Sequence, residues 1–261
     1  MSLHVLASGG FEAPGPDNFW YPFVGEGAWA ITRANFALAL SVVLLVVLAL
    51  VVTRRLELVP GRLQYAGEAV YGFVRNSIAL DQLGEKEFLK FVPLLLTQFL
   101  LIFTNNLFGI IPAIQFPTFS RFGFALSITL IVFAVYHYVG IRKKGLGGYF
   151  KGMVPSGLPV AVVPFVFLLE LLTYFVTRPL TLSLRLFANM FAGHLLLLVF
   201  FLGAEYMLLE GDNLFVRVAS VGSFAMGIVF TFFELLIQFL QAYVFVLLTT
   251  SYIASSLADD H

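Results

Sequence analysis

Apolar residues gather into long blocks along this chain, and most polar residues fall in the gaps between them. Block 31–53 runs through SVVLLVVLALVV and closes on Thr53-Arg54-Arg55. About 20 apolar residues in a helix cross roughly 30 Å of hydrocarbon, so this block predicts a first span. Segment 61–84 has another rhythm. Leu63, Ala66, Val70, Phe73, Val74 and Ile78 recur near i, i+3, i+4, with Arg62, Glu68, Arg75 and Asp81 between them. That predicts an amphipathic helix lying along the interface. Blocks 88–111 and 122–141 predict a second and a third span. Pro112 stops the former, and Arg142-Lys143-Lys144-Gly145 closes the latter.

Two longer blocks follow, 160–207 and 214–257. Each would be about 65–70 Å long as one helix, twice what a perpendicular crossing needs. Pro179 offers a break in the first, whereas the second contains no proline. Either each block splits into two spans or each helix is steeply inclined, and the pattern leaves both open.

Composition narrows the class. Of 261 residues, 60% are hydrophobic and 11% charged, against about 25% charged in soluble domains. Continuous apolar blocks, as opposed to alternating ones, argue against a β-barrel. The expectation is an all-α polytopic membrane protein with five membrane-crossing helices plus one amphipathic interfacial helix. Residues 31–261 form one membrane domain, preceded by an irregular segment, 1–30, with Gly9, Gly10, Pro14, Pro16 and Pro22. That segment lacks the basic start and apolar core of a signal peptide, and no transit-peptide character is visible.

Charge sets the orientation. Arg54, Arg55, Arg62, Arg75, Lys86, Lys90, Arg142, Lys143, Lys144 and Lys151 share one side, against Arg33, Arg121 and Arg217 on the other. By the positive-inside rule the ten face the cytoplasm, which puts the N-terminus outside and the C-terminus inside. Net charge is zero, so nucleic acid is not an expected partner. The absence of cysteine excludes a disulfide framework, a thiol nucleophile and a cysteine-based metal site. The chain has no Gly-rich phosphate loop, so no nucleotide cofactor is expected.

Arg185 is the residue that demands an explanation. A charge at the bilayer centre costs about 2.5–3.5 kcal/mol on insertion scales, and its i±3 and i±4 neighbours, Leu182, Ala188, Thr181 and Asn189, include no acid. Asn189 shares its helical face, and Arg178, seven residues back, nearly does. His194, nine residues on, points about 180° away. In the last block Glu234, Gln238 and Gln241 are spaced 4 and 3 apart on one face, and Tyr252 returns to the same angle after about five turns. Burial penalises a carboxylate's charge and an imidazole titrates near neutrality, so Glu234 and His194 together can pass protons. Glu170 is a third acid within apolar sequence. The pattern is a proton path with a gap, in which a fixed positive charge prevents straight-through flow and attracts a carboxylate from another subunit. A second reading is a secondary transporter that holds a small anion on Arg185. No internal repeat supports it.

LRLFANMFAGH, together with IQFLQAYVFVLLTTSYI and NNLFGIIP, resembles subunit a of the F-type rotary ATP synthase over residues 30 onward. The resemblance implies a non-catalytic stator subunit that passes protons to and from a ring of c subunits, each carrying an intramembrane carboxylate. It implies that Arg185, Asn189 and Gln241 face the ring, that His194, Glu234 and Gln238 belong to the outer half-channel, and that Glu170, Arg178 and Tyr252 belong to the inner one. It also implies steep inclination of the last two helices, no cofactor, and peripheral-stalk b subunits and membrane lipid as further partners. With no transit-peptide character visible, a bacterial plasma membrane is the expected location, an organelle-encoded copy being the other reading. Proton is the expected coupling ion. One spacing departs from the family. The acid lies eight residues before the proline in familiar members, whereas Glu170 lies nine before Pro179. The extra residue turns that side chain by about 100° unless a bulge absorbs it.

Overall fold

A computed structural model of the protein describes residues 22–24, 31–54, 56–111, 118–154, 158–211 and 213–258. Most of the predicted irregular segment 1–30, residues 112–117 of the stretch around and after Pro112, and the last three residues lie outside that set. Within it, β1 (Pro22–Val24) pairs antiparallel with β2 (Ile31–Thr32) ahead of the first helix. Everything else of regular structure is helical. In order these are α1 (Arg33–Thr53), α2 (Arg62–Val74), α3 (Asp81–Ile110), α4 (Phe122–Lys151), α5 (Val163–Leu172), α6 (Arg178–Leu209) and α7 (Leu214–Leu257). Wide π-helical turns at Arg75–Leu80 and Thr173–Thr177 join α2 to α3 and α5 to α6. Five helical stretches are long and apolar enough to cross a membrane. The chain is an all-α polytopic membrane protein.

The blocks become helices because an unpaired backbone group has no partner in hydrocarbon, so each crossing must satisfy its own N–H and C=O groups. α1 is apolar on every side. Its buried hydroxyl, Ser41, accepts a hydrogen bond from Asn105 Nδ2 at 2.8 Å and so ties α1 to α3. α2 carries the amphipathic pattern. Its buried Gln64 bonds the Glu57 carbonyl at 3.0 Å and Glu68 Oε1 at 2.7 Å, which folds the α1–α2 link onto the helix. Gly84, at φ 69°, then turns the chain out of this helix and into the following span. Gly145, at φ 72°, makes the corresponding bend in α4, after its basic turn. Both angles favour glycine, because a side chain there crowds the carbonyl.

Beyond Gly84 the spans pack into one bundle. α6 lies along α7 over the most extensive surface, α3 covers another side of α7, and α4 seals the pair. Leu95 and Ile102 of α3, Val132 and Tyr136 of α4, Leu182 and Leu186 of α6, and Phe245 and Ile253 of α7 fill the core. Lys143 Nζ caps the α7 C-terminus through the Leu257 carbonyl at 2.6 Å. Pro179 does not end its helix. Val163–Leu209 is continuous over 47 residues and Leu214–Leu257 over 44.

The Gly84 bend makes a specific stability prediction. Gly84→Ala is expected to destabilise the fold by about 1–2 kcal/mol, while Gly123→Ala, whose added Cβ meets nothing within 4 Å, changes little. Thermal unfolding of the two variants in detergent checks this, and equal melting temperatures would refute it.

Candidate functional site

The site grows from the antiparallel seam of α6 and α7. A Cβ at Gly193 would overlap the Glu234 carboxyl group, so glycine is what lets that carboxyl lie against the α6 backbone. Ser223 Oγ donates to the Phe200 carbonyl at 3.0 Å toward one end of the seam. Arg178 donates to Ser255 Oγ at 3.1 Å at the other. Gln241, seven residues further along α7 than Glu234, lies on the stretch of the seam between the Gly193 contact and the Arg178–Ser255 bond.

The polar stripe of α7 turns inward, with Glu234, Gln238 and Gln241 at 6%, 2% and 7% exposure in the middle of an apolar helix. Gln238 Nε2 donates to Glu234 Oε1 at 3.2 Å, and Asn106 Nδ2 on α3 donates to the Gln238 main-chain carbonyl at 3.3 Å. His194 turns from α6 toward α3, where its ring hydrogen-bonds the Gly109 backbone. His194, Glu234, Gln238, Gly109, Met190 and Leu197 line one narrow crevice. The carboxyl and the imidazole expected from the sequence therefore share a wall, and α3 supports both through Asn106 and Gly109.

On the other side of Gly193 an open recess of about 330 Å³ is lined by Asn189, Ala192, Leu196, Phe230, Phe233 and Glu234, among others. Asn189 Nδ2 and Gln241 Nε2 are buried with no hydrogen-bond partner among the described residues. Arg185 lies on the exposed face of α6, whereas Leu182, Leu186 and Met190 on the opposite side are buried. No ion pair or hydrogen bond holds Arg185 among the described residues. Arg185 and His194 thus present to different surroundings, one outward and one toward α3.

The third group is split. Arg178 is stacked between the rings of Tyr174 and Tyr252, at 3.6 and 5.0 Å from their centroids, in addition to its bond to Ser255. Glu170 is half-buried and has no ion pair or hydrogen bond among the described residues. Sequence reasoning did not single out Gly193, Asn106, Gly109 or Tyr174 as site residues. Asn106 and Gly109 do lie in the quoted NNLFGIIP, three apart on one helical face. Gly193 immediately precedes His194, and a glycine at that place in a long apolar helix signals close approach.

The family described as ATP synthase A chain matches residues 35–254. The chain is 44% identical to ATP synthase subunit a of Nocardioides sp., with 97% of this chain and 95% of that protein covered. It is 42% identical to ATP synthase subunit a of Pseudarthrobacter chlorophenolicus, covering 100% and 99%. It is 37% identical to ATP synthase subunit a of Rhodococcus erythropolis, covering 100% and 96%.

The Gly193–Glu234 contact is open to a coupling test. Gly193→Ala is expected to cost about 1–3 kcal/mol of stability through overpacking. Glu234→Ala removes the group it strikes, so the double variant should lose much less than the sum of the single losses. Thermal unfolding of the four proteins measures the coupling, and simple additivity would rule the contact out.

Proposed function

The chain belongs to the ATP synthase A chain family, and on that premise we propose that it is a stator subunit with two offset half-channels. At the coarser level it is a multi-pass membrane protein and the proton-translocating subunit of an F-type ATP synthase. The finer reading is that it loads and unloads carboxylates on a c-subunit ring, performs no bond chemistry itself, and couples proton flow to rotation and ATP synthesis. The observation that carries this is Arg185, a guanidinium within apolar sequence, exposed on its helix, with no partner among the described residues. A charge so placed is stable only beside water or an opposite charge from elsewhere, and a ring carboxylate supplies the latter.

In this reading protons enter from outside at the His194–Glu234 crevice, with Gln238 holding the carboxyl. They pass through the recess by Asn189 to the ring carboxylate. Arg185, with Asn189 and Gln241 beside it, displaces the proton from the arriving carboxylate and blocks any direct route to the inner side. Glu170, Arg178 and Tyr252 line the inner half-channel. The 47- and 44-residue helices lie inclined along the ring, which reconciles lengths of about 65–70 Å with a hydrocarbon core of about 30 Å. Each elementary charge that crosses 100 mV yields about 2.3 kcal/mol, so several protons serve each nucleotide. The N-terminus faces outside and the C-terminus the cytoplasm of a bacterial plasma membrane. Peripheral-stalk b subunits and lipid cover the remaining apolar surfaces.

Two outcomes are expected. Arg185→Ala abolishes coupled pumping and opens a passive leak or stalls the ring, measured as proton flux through the assembled membrane sector in liposomes at fixed potential. Unchanged flux and coupling would make the arginine structural. Glu234→Gln keeps the hydrogen-bonding shape but cannot bind and release the proton, so pumping falls at least about 100-fold while the complex still assembles. Normal rates would remove Glu234 from the path.

A further inference from the structure

The long helix formed by α5 and α6 contains a wide turn at Thr173–Thr177. There the Arg178 N–H reaches back five residues to the Thr173 carbonyl and bypasses Tyr174. In that register the Tyr174 carbonyl would be served by residue 179, and Pro179 has no N–H to give. A bare carbonyl inside an apolar bundle is costly. Tyr136 on α4 removes the cost, because its hydroxyl donates to the Tyr174 carbonyl at 2.6 Å. The Tyr136 ring is 1% exposed and is steadied by Phe133 and Tyr252, with centroids at 5.7 and 5.9 Å. The donor is therefore placed by α4 and α7, and the acceptor is freed by a proline.

The wide turn decides where Glu170 faces. In an unbroken α-helix Glu170 would stand about 80° from Arg178 and about 60° from Arg185. A π turn takes up one residue without its usual advance of about 100°, which brings Glu170 to within about 20° of Arg178 and about 40° of Arg185. Arg178 is itself fixed on that face by Tyr174, Tyr252 and Ser255. The nine-residue spacing between Glu170 and Pro179 is thereby absorbed at the turn that Tyr136 caps.

We propose that Tyr136 is a positioning residue for proton exchange on the inner side. By capping the carbonyl that Pro179 leaves bare, it holds the wide turn that aligns Glu170 with Arg178. The proposal rests on the reading of Glu170 as an inner half-channel group.

The test uses the assembled membrane sector with Tyr136→Phe, which removes the hydroxyl and keeps the ring. Pumping is measured with Glu170 present and with Glu170→Gln, at matched complex content. Tyr136→Phe is expected to slow pumping about three- to tenfold, the effect of one lost hydrogen bond to a buried carbonyl, and to add nothing once Glu170 is Gln. Equal slowing in both backgrounds, or none in either, overturns the proposal. A second arm does not depend on protons. The chain has no cysteine, so Glu170→Cys gives this subunit a single thiol. Its labelling by a water-soluble maleimide from the cytoplasmic side is expected to slow at least about threefold when Tyr136→Phe is added, and an unchanged rate overturns the placement. If labelling slows while Glu170→Gln alone pumps normally, the positioning by Tyr136 stands and the inner half-channel reading of Glu170 fails.

Discussion

A guanidinium in hydrocarbon needs an opposite charge or water, and this chain supplies Arg185 with no ion pair among the described residues. The organisation of α6 follows from that. One side, with Leu182, Leu186 and Met190 at 0–1% exposure, is set into the bundle. The other, with Thr181, Arg185, Ala188 and Ala192, is exposed. The alanines keep the surface around the arginine low, so another helix can approach closely. The rotation that turns Arg185 outward turns His194 toward α3. Helical geometry alone thus separates the fixed charge from the titratable pair.

The same absence of water governs the backbone. Side chains from other elements reach main-chain carbonyls that apolar surroundings would otherwise leave under-served. Tyr136 caps the Tyr174 carbonyl, Lys143 caps the end of α7, and Asn106 bonds the Gln238 carbonyl. These three contacts come from α3 and α4, the helices that do not carry the arginine or the carboxyl. A scaffold that bonds the backbone of its neighbours also fixes their rotation, and rotation decides which side chains meet the proposed path.

The fold class was legible because hydrocarbon leaves few solutions: length and continuity of the apolar blocks 31–53, 88–111, 122–141, 160–207 and 214–257 suffice to predict crossing helices. Breaks were harder. Pro179 suggested one, yet its helix runs on, because the missing N–H falls at a wide turn with a hydroxyl donor from α4. No local pattern marks that turn, although the one-residue offset of Glu170 hinted at a bulge. At the site, the alignment of Glu234, Gln238 and Gln241 on one face was readable from spacing alone. Their support was not. Asn106 is 132 positions from Gln238, and the fit of Gly193 against Glu234 depends on how α6 and α7 pack, which periodicity on either helix does not encode.

Glu234 occupies a place that no single-helix argument reveals. It lines both the narrow crevice with His194 and the wider recess with Asn189, and Leu197 is the other residue common to the two. Among these shared residues only the carboxyl can carry a proton. The crevice has no room for a free water molecule, so in the proposed path transfer between His194 and Glu234 would need small movements of the side chains themselves. On the recess side there is space for water, and there the unpartnered Asn189 amide awaits a hydrogen bond. In the proposed path a proton is handed over dry on one side of Glu234 and wet on the other. Gly193 makes the junction, since only a residue without a side chain lets one carboxyl reach both compartments across the α6 backbone.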